Sequence, residues 1–558
     1  MNPAGGFALA LVLSSPAVDP TEPAVCLRHR VEQLGESFGP SGSEVRLRAG
    51  RRLREEYQGR NFRPLWDEST VEALLEEAQR YAEEGLRLPP EHRLRLHLLL
   101  RSKDPCAIAE RDLVASDLFI ILASHLSQGQ VHPRRVDPDW HPPRRHTPME
   151  GLMVQDLSPG LIREQLSALR PSAPEYGRLV QALARLKSLQ PGWLAPPGPL
   201  REGQMPTAEH RRWLRERLAF EPEAQNLDPA GRDVDWTSVL TAVQARYDVP
   251  PSGQLDSPTL RALAVPLSIR ILQLEVNLER LRWLDESEAS EPSNSTRIEV
   301  ALAAKKLRVV RPGQDDLVMP VAFGRTARRT PVLRTKLPYL VLNPTWFVPP
   351  RVAREDLLPK ILEDPKYLPN NHLRTYLHGP SGLVRVKGAE LDWHQIAEKR
   401  TPFRLVQAPG PKNYLGKLKF VMPDANGIYI HGNAPYRRFE PGPTSAGCIR
   451  VEDPLFLAQA LLEGDSAWPA ARLERILASG REIIVHLFRP VPVHVTYRTA
   501  WVDKEGRLQF REDVYQRDRI IAAAVERATQ GRRRAHLTGR TLSRVEGVPN
   551  PSEQGPRR

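Results

Sequence analysis

The stretch IYIHGNAPYRRFEPGPTSAGCIRV places an imidazole, a thiol and a guanidinium within a few turns of chain, in a protein with only three cysteines. Acyl transfer by cysteine needs a thiolate, a base that generates it and later returns the proton, and donors for an oxyanion. Cys448 can be the nucleophile. His431 lies 17 residues upstream, at the end of the run GIYI, and a loop over 433–443 that turns back would bring its ring to the sulfur. The Gly432 carbonyl could then hold one imidazole nitrogen in the right tautomer. The N–H groups of Gly447 and Cys448, beside small Ala446, could form the oxyanion hole. Arg450 suits a substrate carboxylate through a bidentate contact. Ser445 either caps the turn or hydrogen-bonds substrate. The competing readings are structural: Cys448 as a small apolar residue at a strand end, His431 as a core histidine, Arg450 as a solvated charge. A second His-Gly pair, His378–Gly379, reads as a turn.

Such residues need a rigid frame, and the patterning after Asp285 supplies one. A polar linker, ESEASEPSNSTR, is followed by β-branched and alternating runs: RIEVAL, LRVVR, LVMPVAFG, PYLVLNP, GKLKFVMP, GIYIHG, EIIVHLF and VPVHVTYRTAWVD. A helix is expected at PLFLAQALLEG, directly after the cysteine motif. Between Arg351 and Lys412 the pattern is less regular, with helical pieces. An insertion of that length between strands is uncommon unless it covers a site. The first part of the chain is helical instead. TVEALLEEAQRYAEEGL sets Val71, Leu74, Leu75, Ala78 and Ala82 at three- and four-residue spacing. In IRILQLEVNLERLRWL, the residues Ile271, Leu274, Leu278 and Leu281 form one core stripe.

Composition bounds the rest. A chain of 558 residues is too long for one core. Its net charge of +13 is spread out rather than gathered into a basic stripe with aromatics, so a nucleic-acid partner is not expected. Cys26, Cys106 and Cys448 are an odd number without metal-like spacing, which excludes a disulfide framework and a Cys-rich zinc site. A single Cys26–Cys106 bridge stays open. The apolar run Gly6–Leu13, followed by small residues, is similar to the end of a secretory signal without its basic n-region. Export to the periplasm or cell envelope is the expectation once function is considered.

The motif over 428–451 resembles the active-site signature of the L,D-transpeptidases: His-Gly, a loop, then Ser-x-Gly-Cys-Ile-Arg. TPVLRTKLPYLVLNPTWFVPP, LVQAPGPKNYLGKLKFVMP and YQGRNFRPLWDESTVEALLEEAQRYAEEGL resemble that family's large proteobacterial subfamily. VLTAVQARYDVPPSGQLDSPTLRALAVP is similar to the small three-helix peptidoglycan-binding module, with Ser257 and Pro258 as a helix start. Two departures stand out: Ala446 replaces the histidine that many relatives carry before Gly-Cys, and Gly432 replaces the Asp common in the subfamily. The first leaves His431 as the sole base nearby.

The resemblance implies a multidomain α+β protein. Residues 1–44 would be a leader-like segment, 45–203 a helical scaffold and 204–285 the peptidoglycan-binding-like module. Residues 296–530 would be the β-rich catalytic domain with a lid at about 351–412, and 531–558 a basic disordered tail. It implies cleavage of the diaminopimelate–D-Ala bond in a peptidoglycan tetrapeptide stem through a Cys448 thioester. The amine of a second stem's diaminopimelate would then resolve it into a 3→3 cross-link, with no metal or organic cofactor. Donor and acceptor stems are the implied partners, together with cell-wall synthesis proteins. Water, a free D-amino acid or an envelope-protein lysine are alternative acceptors, and a non-catalytic wall-binding protein is the alternative class. Asn413 and Tyr429 are further candidates to face substrate, although Tyr429 and Trp346 also read as packing.

Overall fold

The computed structural model describes residues 22–34, 45–145, 157–189, 195–199, 207–218, 235–284, 295–364, 366–379, 382–425, 427–434 and 437–530. The leader-like segment up to residue 21, most of the polar linker and the basic tail lie outside them.

The catalytic frame is a sheet that closes on itself. Its strands are β1 (Arg297–Ala301), β2 (Lys306–Val310), β3 (Leu317–Gly324), β4 (Leu333–Leu342), β9 (Leu418–Val421), β10 (Ile430–His431), β11 (Gly442–Ser445), β12 (Ile449–Val451) and β13 (Ile483–Thr496), where β5–β8 are the strands of the lid below. They run in the order β11-β3-β12-β10-β9-β4-β13-β1-β2, and β2 also pairs with β3, which closes the ring. Alternation along each strand sends one side chain in two to the interior. Ile298, Val300, Val309, Leu340, Phe420, Ile430, Ile449 and Val493 meet there in one buried cluster. The opposite parity faces outward and carries His431, Arg450 and Lys419. The runs read as separate strands around residue 488 are one strand, β13, broken by a register irregularity between His486 and Val491. That irregularity leaves Phe488 93% exposed at its crest.

The insertion is more ordered than its sequence suggests. Strands β5 (Trp346–Phe347), β6 (Leu373–Gly379), β7 (Gly382–Val386) and β8 (Phe403–Gln407) form a separate sheet in the order β5-β8-β6-β7. Helical turns over 350–363 and the helix Trp393–Glu398 complete a small layer around Leu357, Leu358, Ile361, Ile396 and Leu405. Its core begins at Trp346 and reaches Leu415, with Tyr414 and Tyr429 packed against it. His378 sits near the turn end of the β6–β7 hairpin, paired with Leu383 and exposed.

The helical domain gathers Pro23–Glu32, Gly50–Gly59, Glu68–Glu83, Pro90–Leu99 and Pro159–Ala168 around the 24-residue helix Pro105–Gln128. Asp67 starts one of these helices with a capping box onto Thr70. Cys26 and Cys106 are joined in a disulfide, so the bridge left open by the sequence is formed. The helices Ala208–Leu218, Trp236–Arg246 and Ser257–Leu263 do not stand apart as a three-helix unit. They share a core with helix Pro174–Ser188, with Leu274, Leu278 and Leu281, and with the hairpin Ala500–Val502/Leu508–Phe510. Asp256, not Ser257, is the residue that caps Ser257–Leu263, its carboxylate accepting from Thr259 N–H.

Helix Leu267–Trp283 ties these bodies together. Its leucine stripe is buried as expected, but so are Arg280, Arg282 and Glu279 on its other faces. Arg280 pairs with Asp518 at 2.7 Å, and Arg282 donates to Tyr176 Oη and to the Glu84 carbonyl. Glu279 accepts from the backbone of Gln130 and Val131 and from Trp283 Nε1. Buried charges persist only when paired in this way.

Candidate active site

Strand register assembles the site. Parallel β10 and β12 set His431 opposite Arg450, and antiparallel β9 sets Lys419 on the other side of His431. Residues in register share a face of the sheet. Cys448 precedes β12 by one residue, and Ile449 N–H donates to the Tyr429 carbonyl, which fixes the thiol beside Tyr429. Asp453 and Pro454 start helix Pro454–Leu461 just beyond, Asp453 capping the Phe456 N–H, and this anchors the end of the motif.

Cys448 is a free thiol at the wall of a cleft of about 980 Å³. The floor carries Tyr429, His431 and Arg450, and the lid residues Trp346, Arg351 and Lys360 line the facing side. A larger groove of about 1250 Å³ runs past Arg311, Lys336 and Arg489 elsewhere on the domain, but no cysteine lines it. The cleft with the sulfur is therefore the candidate site. Its lining cations outnumber its carboxylates, which suits an anionic ligand.

The two reacting groups are neutral at rest. Burial pushes His431 down to about 3, and Arg450 and Lys419 on either side reinforce the shift. Burial raises the Cys448 thiol, while the Tyr429 N–H and hydroxyl and the Lys419 charge pull against it. The sulfur keeps accessible surface on the cleft, so cleft water tempers that rise. Lys419 is held with its ammonium 4.3 Å from the centre of the Tyr429 ring. The Gly432 and Leu415 carbonyls favour a protonated His431. Neither makes a well-formed hydrogen bond to the ring: Nδ1 is buried without a partner among the described residues. A Cβ on Gly432 would lie 2.9 Å from Pro454 Cγ, so the position must be small.

Arg450 is buried, donating to Asn433 Oδ1 at 3.1 Å and Thr444 Oγ1 at 2.5 Å, with no ion pair among the described residues. That leaves a cation on the cleft floor without its anion. Three other candidates are engaged within the protein. Gly447 N–H is taken by Ser445 Oγ at 3.1 Å, because a φ of +123° turns it back into the loop, so it is not the free oxyanion donor. Ser445 donates in turn to the Cys448 carbonyl at 2.5 Å, the turn-capping alternative of the two that the sequence offers. Asn413 is fully engaged beneath the lid: its amide donates to the Pro344 and Ala408 carbonyls and its oxygen accepts from Leu415 N–H. Tyr429 does line the cleft, and Trp346 both lines it and packs on Tyr414 with ring centroids 5.0 Å apart.

Sequence reasoning missed Arg325 and Arg328, which reach from the β3–β4 connection to lid carboxylates. Arg325 pairs with Asp356 at 2.7 Å, and buried Arg328 pairs with Glu355 at 2.5 Å and also with Asp356. Nothing in the run GRTARRTP distinguishes these arginines from solvated ones.

Comparison with known proteins agrees with this geometry. Residues 295–475 match the L,D-transpeptidase catalytic domain, and residues 51–183 match a scaffold domain. A Haemophilus influenzae protein named "Putative L,D-transpeptidase" is 34% identical over 254 residues, covering 45% of this chain and 49% of that protein. The chain thus aligns with about half the length of that relative. An L,D-transpeptidase structure from Mycobacterium smegmatis is 15% identical over 36% of this chain and 58% of its own, with a TM-score of 0.17, too low to carry an argument. Residues 295–475, with Cys448 and His431 among them, are thus similar to the L,D-transpeptidase catalytic domain, and they follow a segment that is similar to a scaffold domain.

Proposed function

We propose that this protein is a cysteine acyltransferase of peptidoglycan that forms 3→3 cross-links in the bacterial wall. The observation that carries the reading is that the free Cys448 thiol and His431 line one cationic cleft, with Arg450 in register beside His431. The thiol attacks the carbonyl that joins diaminopimelate to the terminal D-Ala of a tetrapeptide stem. An S–C bond forms, the C–N bond breaks, and the thiol proton passes by way of His431 to the departing D-Ala amine. The side-chain amine of a second stem's diaminopimelate then attacks the thioester, forming the amide and releasing the thiol.

Arg450 and the cleft cations hold the donor stem's carboxylates. Their neutralisation also removes part of the field that keeps His431 from accepting a proton. The lid wall keeps water from the thioester while the amine enters. The Cys26–Cys106 disulfide suits an oxidising, extracytoplasmic compartment. The helices over 204–285, which share a core with helix Pro174–Ser188, would bring the enzyme to the wall.

The test is product analysis by mass spectrometry after incubation with disaccharide-tetrapeptide. Free D-Ala with 3→3 dimer supports the reading. Tripeptide alone redirects it to hydrolysis, and no product from a folded enzyme overturns it.

A further inference from the structure

With Gly447 N–H engaged by Ser445, the oxyanion must find another donor, and the next peptide bond holds one. The Gly447 carbonyl accepts from Thr330 Oγ1 at 2.7 Å. Every peptide bond described is trans, so Cys448 N–H points away from that carbonyl, on the opposite edge of the same plane. Thr330 is completely buried, and its hydroxyl also accepts from Gly324 N–H at 2.8 Å, so its donor direction is fixed. Its backbone is fixed as well: Thr330 N–H donates to Tyr515 Oη at 3.1 Å, and its carbonyl accepts from Arg517 at 3.3 Å. Arg517 is held by Asp137 and Asp139 at 3.2 and 3.3 Å. The same strap of the scaffold domain pairs with Val332, His141 N–H donating to its carbonyl and Val332 N–H to that of Asp139, both at 2.9 Å.

We propose that Thr330 is a positioning residue for acyl transfer: it anchors the Gly447 carbonyl so that Cys448 N–H faces the oxyanion, and the scaffold strap 137–141 holds Thr330 in place. This rests on the acyl-transfer reading above, and it gives the scaffold domain a part in the chemistry. In the step concerned the thiol sulfur adds to the carbonyl carbon, the π electrons move onto oxygen, and that oxygen accepts from Cys448 N–H. The electrons return as the leaving group departs.

The test uses full-length Thr330→Val and Thr330→Ser with three probes: disaccharide-tetrapeptide, p-nitrophenyl acetate and iodoacetamide. The two acyl donors pass through an oxyanion, and alkylation by iodoacetamide does not. Thr330→Val is expected to slow both acylations by about 10²-fold, the scale of a lost oxyanion donor. KM and the alkylation rate should stay put, and Thr330→Ser should restore acylation. Wild-type acylation rates in Thr330→Val, a parallel fall in alkylation, or no rescue by serine would each overturn the relay. If Thr330→Val does not fold, Tyr515→Phe carries the test: slower acylation at unchanged alkylation supports the relay, and unchanged acylation overturns it. A wild-type enzyme acylated by the ester but not by the stem would refute the substrate assignment while leaving the relay to be judged on the ester.

Discussion

At Cys448 and His431, position and protonation point in different directions. The register brings base and nucleophile to one face of the sheet, but burial of His431, reinforced by the cations beside it, keeps the resting pair from being a thiolate–imidazolium couple. Since the thiol titrates above its ordinary value of about 9, the thiolate fraction at neutral pH is small and grows only as pH rises past that range. Alkylation by iodoacetamide should therefore stay slow through neutrality and climb above about pH 9. A plateau between pH 5 and 8 would show an ion pair instead. Lys419→Gln removes a charge that favours the thiolate, so the climb should move to higher pH. His431→Ala should lower turnover by roughly two to four orders of magnitude, and exposed His378→Ala should leave it unchanged. The cysteine, histidine and arginine were legible because their types and order have few structural explanations. The internal hydrogen bonds of Ser445, Asn413 and Gly447 N–H were not legible, because their direction depends on φ at Gly447 and on backbone carbonyls distant in sequence.

Among the elements, the lid was legible as an insertion but not as a sheet. TYLHG and GLVRV are short, and the second is largely exposed, so neither shows the buried alternation that marks a strand. Deleting 351–412 would uncover Trp346, Leu415 and Tyr429, which pack against the lid core, so loss of folding would confuse the result. The ion pairs from Arg325 and Arg328 to Glu355 and Asp356 give a finer handle. The double variant Glu355→Gln/Asp356→Asn should loosen the wall over the cleft and raise the ratio of tripeptide to 3→3 dimer. It should also lower the thermal midpoint, because buried Arg328 loses both of its carboxylate partners, so the ratio is read at a temperature where the variant is folded. An unchanged ratio would remove lid closure from the account.

For the whole molecule, the domain order was readable from the shift between helical and alternating periodicity. The joints were not. Helix Leu267–Trp283 looked amphipathic, yet its charged residues pair inside interfaces whose partners, Asp518, Glu84 and Tyr176, lie far away in sequence. Likewise the Cys26–Cys106 pair could be named but not decided until the helices placed the two residues together. Replacing both cysteines by serine should destabilise the helical domain by about 2–4 kcal/mol in urea titrations, the usual range for a lost disulfide. Turnover at 25 °C should hold, since neither sulfur is near the cleft lined by Cys448.

The most direct test is the intact mass of the protein during reaction with disaccharide-tetrapeptide. The account predicts a transient adduct with the mass of the donor less D-Ala, carried on the peptide that contains Cys448, released by an amine acceptor and absent in a folded Cys448→Ala variant. D-Ala release by Cys448→Ala, or an adduct on any other residue, would contradict it.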